Sequence, residues 1–319
     1  MTRLSILDRS LVRQGQSPAQ ALRDTVRFAR QAEELGYHRF WVAEHHSVPG
    51  VAGAAPTVLA AAIAAATSRI RVGTGGVMLP NHRPLVVAEQ FGVLGALHPG
   101  RIDMGLGRSL GFTGGIRKAL GVEDADDFND RLTELLGYFD GGLQGVHAHA
   151  AEGSRPEVFM LAVGAGAAVA AVHGLPLVIG GPRVREGVET YRAAFRPSSW
   201  TAAPYVVVAA NVAVGSSRLH VPEAWATAHS RTRGFFPPLR PAEEVLAMEM
   251  TGRERALFEE SLKGHISGTK EEVDLALRSL VDLTGADEVL VTMNTFDLDE
   301  RLESYRQLIN PTFVGNSAP

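Results

Sequence analysis

Glu44, His45 and His46 follow one another directly after the apolar run Phe40–Ala43. A carboxylate and two imidazoles at the end of a strand can move protons near neutral pH or hold the polar edge of a ligand. Adjacent side chains of an extended chain point to opposite faces, so one histidine faces a ligand while the other packs or bonds to backbone. The same geometry argues against metal, because a facial triad needs two imidazoles and a carboxylate converging on one point. His147-Ala-His149 has only Glu152 close by, and no metal is expected there either.

Two glycine-rich turns add the features of a binding surface. Gly73-Thr74-Gly75-Gly76 closes one apolar run. Paired glycines there admit a flat ligand against the backbone, allow an unusual peptide geometry, or simply form a bulge. Gly105-Leu106-Gly107-Arg108-Ser109 closes the next, where small residues leave room and the forked donors of Arg108 suit an anion. Gly164-Ala165-Gly166 opens a later helix, where backbone N–H groups and the helix dipole can hold a phosphate.

What positions these residues is an alternation that runs through the chain. The runs Leu4–Leu7, Phe40–Ala43, Arg71–Leu79, Ile102–Leu106, Val158–Val163, Pro176–Ile179, Tyr205–Val214 and Glu288–Met293 predict strands. Helical spacing separates them, from Ser17-Pro18 (cap and first-turn proline) to the stop at Gly36, over Thr57–Ala66, and over Leu85–Leu97. Further helices are predicted at Ala165–His173, Arg185–Phe195, Ala224–Arg233, Thr269–Leu283 with the capping pair Thr269 and Glu272, and Leu298–Ile309. Eight strands, each followed by a helix, predict a parallel sheet closed into a single α/β TIM (β/α)8 barrel over residues 1–319. An open dinucleotide-binding sheet would carry G-x-G-x-x-G in its first strand–helix turn, and none stands there. In a barrel the working groups gather at the C-terminal ends of the strands, where Glu44-His45-His46 and the three glycine-bearing segments fall.

Two loop insertions break the alternation, after strands four and seven. The first is Gly107–Asp127. The second, at 233–268, holds Phe235-Phe236-Pro237-Pro238 and a helical-looking Glu243–Leu262. It would lie beside the barrel mouth, either as a lid or as a plain surface insertion.

Composition narrows the function classes. A net charge of −4 without a Lys/Arg cluster argues against nucleic acid as a partner. The chain has no cysteine, which excludes disulfides, thiolate metal sites and cysteine nucleophiles and fits a reducing compartment. Leu4–Leu7 is too short for a signal-peptide core, and the longest apolar stretches fall short of a membrane span or are broken by Gly and His. A cytoplasmic protein with no membrane partner is expected.

FWVAEHH at 40–46, RVGTGGVMLPNHRP at 71–84, VAEQFGVLGALHPGRIDMGLGR at 87–108 and the helix start Phe128…Arg131 resemble the bacterial luciferase-like monooxygenase family, in register from residue 4 to about residue 140. The resemblance implies a flavin at the strand ends, with His45 beside its reactive edge and Glu44 next to it in the catalytic segment. It implies a non-proline cis peptide at Gly75-Gly76 under the isoalloxazine ring, and Arg108 and Arg131 approaching the flavin phosphate. The EHH form is similar to the flavin mononucleotide (FMN) branch of the family rather than the deazaflavin branch. The implied activity is oxygenation of an organic small molecule by reduced FMN (FMNH2) and O2, with a separate flavin reductase as partner.

Two segments depart from the family pattern. Gly164-Ala165-Gly166-Ala167 stands where relatives carry hydroxyl side chains, leaving only backbone donors, and Gly180-Gly181-Pro182 replaces a polar segment. A deazaflavin-dependent oxidoreductase and a non-catalytic flavin-binding barrel are the alternatives. Phe112, Phe235, Phe236 and Trp200 would line an apolar pocket or pack as core. Ala60, Ala61, Ala62, Ala64 and Ala65 give the second helix a smooth face, on which, with the helix after strand three, an isologous homodimer is expected.

Overall fold

The computed structural model describes residues 2–163 and 166–310. Eight strand positions close into a parallel barrel ringed by helices, as the alternation predicts. The first half runs β1 (Arg3–Asp8), α1 (Pro18–Leu35), β2 (Arg39–Val42), α2 (Pro56–Ala66), β3 (Arg71–Thr74), β4 (Val77–Met78), α3 (Pro84–Leu97), β5 (Ile102–Gly107), α4 (Gly114–Leu120) and α5 (Phe128–Phe139). The second half runs β6 (Glu157–Ala162), α6 (Gly166–Val172), β7 (Leu177–Gly180), α7 (Val184–Ala194), β8 (Val206–Val214), α8 (Val221–Arg233), α9 (Ala242–Leu246), α10 (Gly252–Leu262), β9 (Ile266–Gly268), α11 (Lys270–Thr284), β10 (Glu288–Thr292) and α12 (Leu298–Ile309). Pairing of β10 with both β1 and β8 closes the barrel.

Parity along each strand sorts the core into two shells. Phe40 and Val42, Val206 and Val208, and Val289 and Val291 point outward to the helices. Trp41, Phe159, Val178, Val207 and Leu290 meet inside the barrel. Below them, at the N-terminal end, sits a charged plug. Arg39, 1% exposed, bonds Glu288 through Nε at 3.1 Å and Glu157 through Nη2 at 2.8 Å. Its Nη1 lies 2.9 Å from Asp103. Trp41 Nε1 and Arg71 also donate to Asp103, and Tyr205 Oη to Glu288. The guanidinium stands 4.8 Å from the Phe159 ring centroid.

Two predicted elements come out differently. The expected continuous strand Arg71–Leu79 is two short pieces, β3 and β4, with the cis Gly75-Gly76 peptide between them. The expected single helix Glu243–Leu262 is α9 and α10, separated at 247–251. Thr251 starts α10 with its own capping box to Glu254, a new N-terminus that helical spacing alone conceals.

The 233–268 excursion is fastened to the mouth at both ends. Phe236 and Leu239 carbonyls accept from Gly50 and Gln14 amides, in the loops after β2 and β1. At its far end β9 pairs in parallel with the end of β8. On the barrel exterior, Ala60 and Ala64 of α2 are buried, while Val58, Ala62 and Ala65 face outward. Val86, Val93 and Leu97 of α3 are exposed as well. Among the described residues no helix is long and apolar enough to cross a membrane.

Candidate active site

The strand ends enclose a cavity of about 530 Å³. Its floor is the top of the inner shell, with Leu7, Leu161, Val178, Ala209 and Leu290. Glu44, His45, His46 and the cis pair Gly75-Gly76 form one wall; Ala162, Val163 and Gly180 form another; 109–112 make the rim. Part of the glycine signal is packing. A Cβ on Gly105 would stand 1.9 Å from the Thr74 carbonyl oxygen, and one on Gly76 would stand 2.7 Å from that of Gly105. Here neighbouring strands approach too closely for any side chain.

His45 lines this cavity with its Nδ1 buried and, among the described residues, without a hydrogen-bond partner. Its ring stacks on Phe112, with centroids 6.3 Å apart. Burial, with Arg9 nearby, pulls its pKa down to about 4, so the ring is neutral at physiological pH. Glu44 is different. It is 4% exposed and fully engaged, accepting from the Met78 amide at 2.9 Å and lying 2.6 Å from His46 Nε2 and 2.8 Å from His82 Nε2. Burial pushes its carboxyl up, but the bonds from His82, His46 and the Met78 amide outweigh that and hold it below the ordinary range. Glu44 and His46 share one face, two residues apart, and His82 arrives from the turn after β4. The three donor atoms lie within 4.8 Å of one another. Expectation had set aside a convergence of consecutive residues; a third group from another loop produces one, and hydrogen bonds account for it.

The remaining expected residues divide. Arg108 lies on the rim beside Gly107 and Ser109, exposed, with one long bond from Nη2 to the Ala125 carbonyl at 3.4 Å. Arg131 is not brought to the wall of the cavity; it pairs with Asp127 at 2.7 Å and donates to the His82 carbonyl at 3.0 Å. Gly166 opens α6, and Gly164 and Ala165 lie outside the described residues. Trp200 belongs to packing: it meets Phe139 edge-on and carries Arg155 4.6 Å above its ring. His147, His149 and Glu152 cluster on the surface in the loop leading into β6, at the opposite end of the barrel from the mouth.

A second cavity, of about 260 Å³, shares His45 and Phe112 with the first and is completed by Phe235 and Phe236 of the excursion. Arg9, directly after β1, reaches it and forms an ion pair with Glu223 of α8, which also accepts from Asn294 at 3.0 Å. Sequence reasoning missed His82, Arg9 and Glu223. His82 stands inside the quoted RVGTGGVMLPNHRP segment, and Arg9 ends a strand, so both could have been found by reading every strand end; nothing local marks Glu223.

The family model for luciferase-like monooxygenases matches residues 2–286. A "Luciferase-like monooxygenase" of Escherichia coli (strain K12) is 34% identical, with 94% of each chain covered. The N-acetyl-S-alkylcysteine monooxygenase of Bacillus subtilis (strain 168) is 46% identical over 50% of this chain and 48% of its own length. The crystal structure of apo-MsnO8 superposes with a TM-score of 0.89 at 34% identity, covering 97% of this chain and 98% of that one. On the family-model match over residues 2–286 and the Escherichia coli relative aligned over nearly all of both chains, the chain belongs to the luciferase-like monooxygenase family.

Proposed function

We propose that the chain is a monooxygenase that binds reduced FMN in the strand-end cavity and uses O2 to oxygenate an organic small molecule. His45 carries the reading. A buried imidazole nitrogen left unbonded costs about 1–3 kcal/mol, and this one faces a cavity with an apolar floor and a glycine wall. A flat heteroaromatic ring with polar atoms at its edge fits both features. Reduced FMN, when bound, supplies the two electrons with which O2 gives one oxygen atom to substrate and the other to water. The name of the Bacillus subtilis relative supports a small organic substrate. The neutral His45 holds a proton at one ring nitrogen and accepts at the other, beside the ring edge. Glu44 anchors His46 and His82 and keeps that wall in one shape, and the apolar floor excludes water. A separate reductase supplies the reduced cofactor. The direct test is conversion of substrate that requires O2, reduced FMN and the protein together, above the autoxidation of free flavin.

Arg108 is the phosphate contact in this account. Among the described residues its guanidinium makes one long hydrogen bond, to a carbonyl, whereas Arg131 is already held by Asp127 and supports the wall through the His82 backbone. Arg108→Ala is expected to weaken FMN by about 1.5–3 kcal/mol, roughly 10–150-fold. Equilibrium quenching of flavin fluorescence checks it, and equal affinities for variant and parent would remove Arg108 from the site.

The same reading includes a homodimer on α2 and α3. Val58, Ala62 and Ala65 with Val86, Val93 and Leu97 make an apolar exterior face, its small residues open to close helix approach. Ala65 points outward whereas Ala61 packs toward the core, so Ala65→Glu is the informative change. Sedimentation equilibrium at micromolar concentration is expected to give twice 34.1 kDa for the parent and one chain mass for the variant, with unchanged circular dichroism. A parent mass of one chain would exclude the dimer.

A further inference from the structure

We infer that the second cavity holds the substrate and that Arg9 there receives a carboxylate, so that the molecules accepted are small monocarboxylates with an apolar chain; this rests on the first cavity being the flavin site. The two cavities meet at His45 and Phe112, so a molecule anchored at Arg9 lays its chain along the imidazole that borders the first. Val51, Phe112, Ile116 and Phe236 give it apolar walls. Its volume of about 260 Å³ suits a short chain or a small ring.

Charge decides which end of the molecule goes where. Among the described residues Arg9 is the one charged side chain on the lining, and no carboxylate joins it there. Burial lowers its pKa to about 10, which leaves it charged at neutral pH. Glu223 holds Arg9 at Nη2 from behind, off the lining, and Asn294 donates in turn to Glu223. A guanidinium carries more N–H donors than one carboxylate engages, and among the described residues no other acceptor takes them. Glu223 thus fixes Arg9 before a ligand arrives, and the positive end faces the cavity. A carboxylate that gives up its water here meets charge-assisted hydrogen bonds. Ser47, Thr113 and Ser230 border the cavity and can each donate one more. A neutral molecule buries the same apolar surface but satisfies those donors less well. An ammonium meets Arg9 with no opposite charge on the lining.

Three probes of one shape test this without turnover: octanoate, 2-octanone and octylamine, titrated calorimetrically into the full chain, first alone and then saturated with FMN. Octanoate is expected to bind at least tenfold more tightly than 2-octanone, and octylamine more weakly than both, in the same order with and without FMN. Arg9→Met combined with Glu223→Gln removes both charges, so that neither is left unpaired, and is expected to bring octanoate down to the affinity of 2-octanone. Arg9→Lys keeps the charge without the fork and is expected to retain part of the preference. Ile116→Trp, which fills the cavity, is expected to abolish octanoate binding and to leave FMN affinity unchanged. 2-Octanone matching octanoate in the parent would overturn the inference. So would an octanoate preference that survives the loss of Arg9, that survives Ile116→Trp, or that disappears once FMN is bound. Failure of FMN to bind the parent would overturn the flavin reading instead, and the probe comparison in the chain alone would still stand.

Discussion

Replacing His45 with alanine is expected to reduce oxygenation by about 10²–10⁴-fold, the range that a positioned proton-transfer group contributes. The fold should be retained, because losing the buried unbonded nitrogen relieves about 1–3 kcal/mol, which offsets the packing lost against Phe112. The side chain borders two cavities, and its buried Nδ1 bonds to none of the described residues, so its removal breaks no network among them. The pH dependence follows from its depressed pKa of about 4. Between about 4 and the ordinary histidine value the unfolded chain binds a proton that the folded chain refuses, so this group makes stability fall as pH falls across that window. His45→Ala should therefore lose less stability between pH 6.5 and pH 4 than the parent. Activity should show no inflection at the ordinary histidine value. Near-full turnover of the variant at saturating reduced FMN would contradict the assignment.

Arg39→Met should have the opposite profile. Arg39 is enclosed at the N-terminal end of the barrel between Asp103 and Glu288, each fully buried, and Glu157. Removing one partner of a buried ion pair leaves uncompensated charge and costs about 3–5 kcal/mol. Ser5 and Tyr205 still donate to Glu288, and Trp41 to Asp103, but neutral donors do not supply the missing positive charge. The unfolding midpoint should fall by roughly 6–20 °C. Turnover per folded molecule should be preserved at low temperature, because Arg39 is on the stability end of the barrel and His45 on the working end. A loss below about 1 kcal/mol, measured by urea unfolding, would show that the plug is not what holds the bottom of the barrel.

The barrel was legible because its signal is local and repeated. Parity in segments such as Arg39–Val42 and Glu288–Thr292 puts alternate residues on the helices and in the lumen, and caps such as Ser17, Gly36 and Thr269 mark helix ends. Pattern does not show the gap between β3 and β4 at Gly75-Gly76, nor the second cap that interrupts an unbroken helical rhythm at Thr251. In the site, Glu44 and His46 share a face by parity alone. That Glu44 is occupied rather than free depends on His82, which only the closed barrel brings within 2.8 Å. Arg131 shows the converse: the resemblance placed it near a phosphate, while Asp127, four residues earlier on the same turn of chain, pairs with it. The Arg9–Glu223 pair joins β1 to α8 across most of the chain, and no local pattern carries that information.

FMN is expected to occupy the strand-end cavity. Titration of the purified chain with FMN and, in parallel, with a deazaflavin tests it most directly, followed by quenching of flavin fluorescence. FMN is expected to bind one per chain and at least tenfold more tightly than the deazaflavin, with its affinity reduced in Arg108→Ala. Tighter binding of the deazaflavin, or binding of neither, would contradict it.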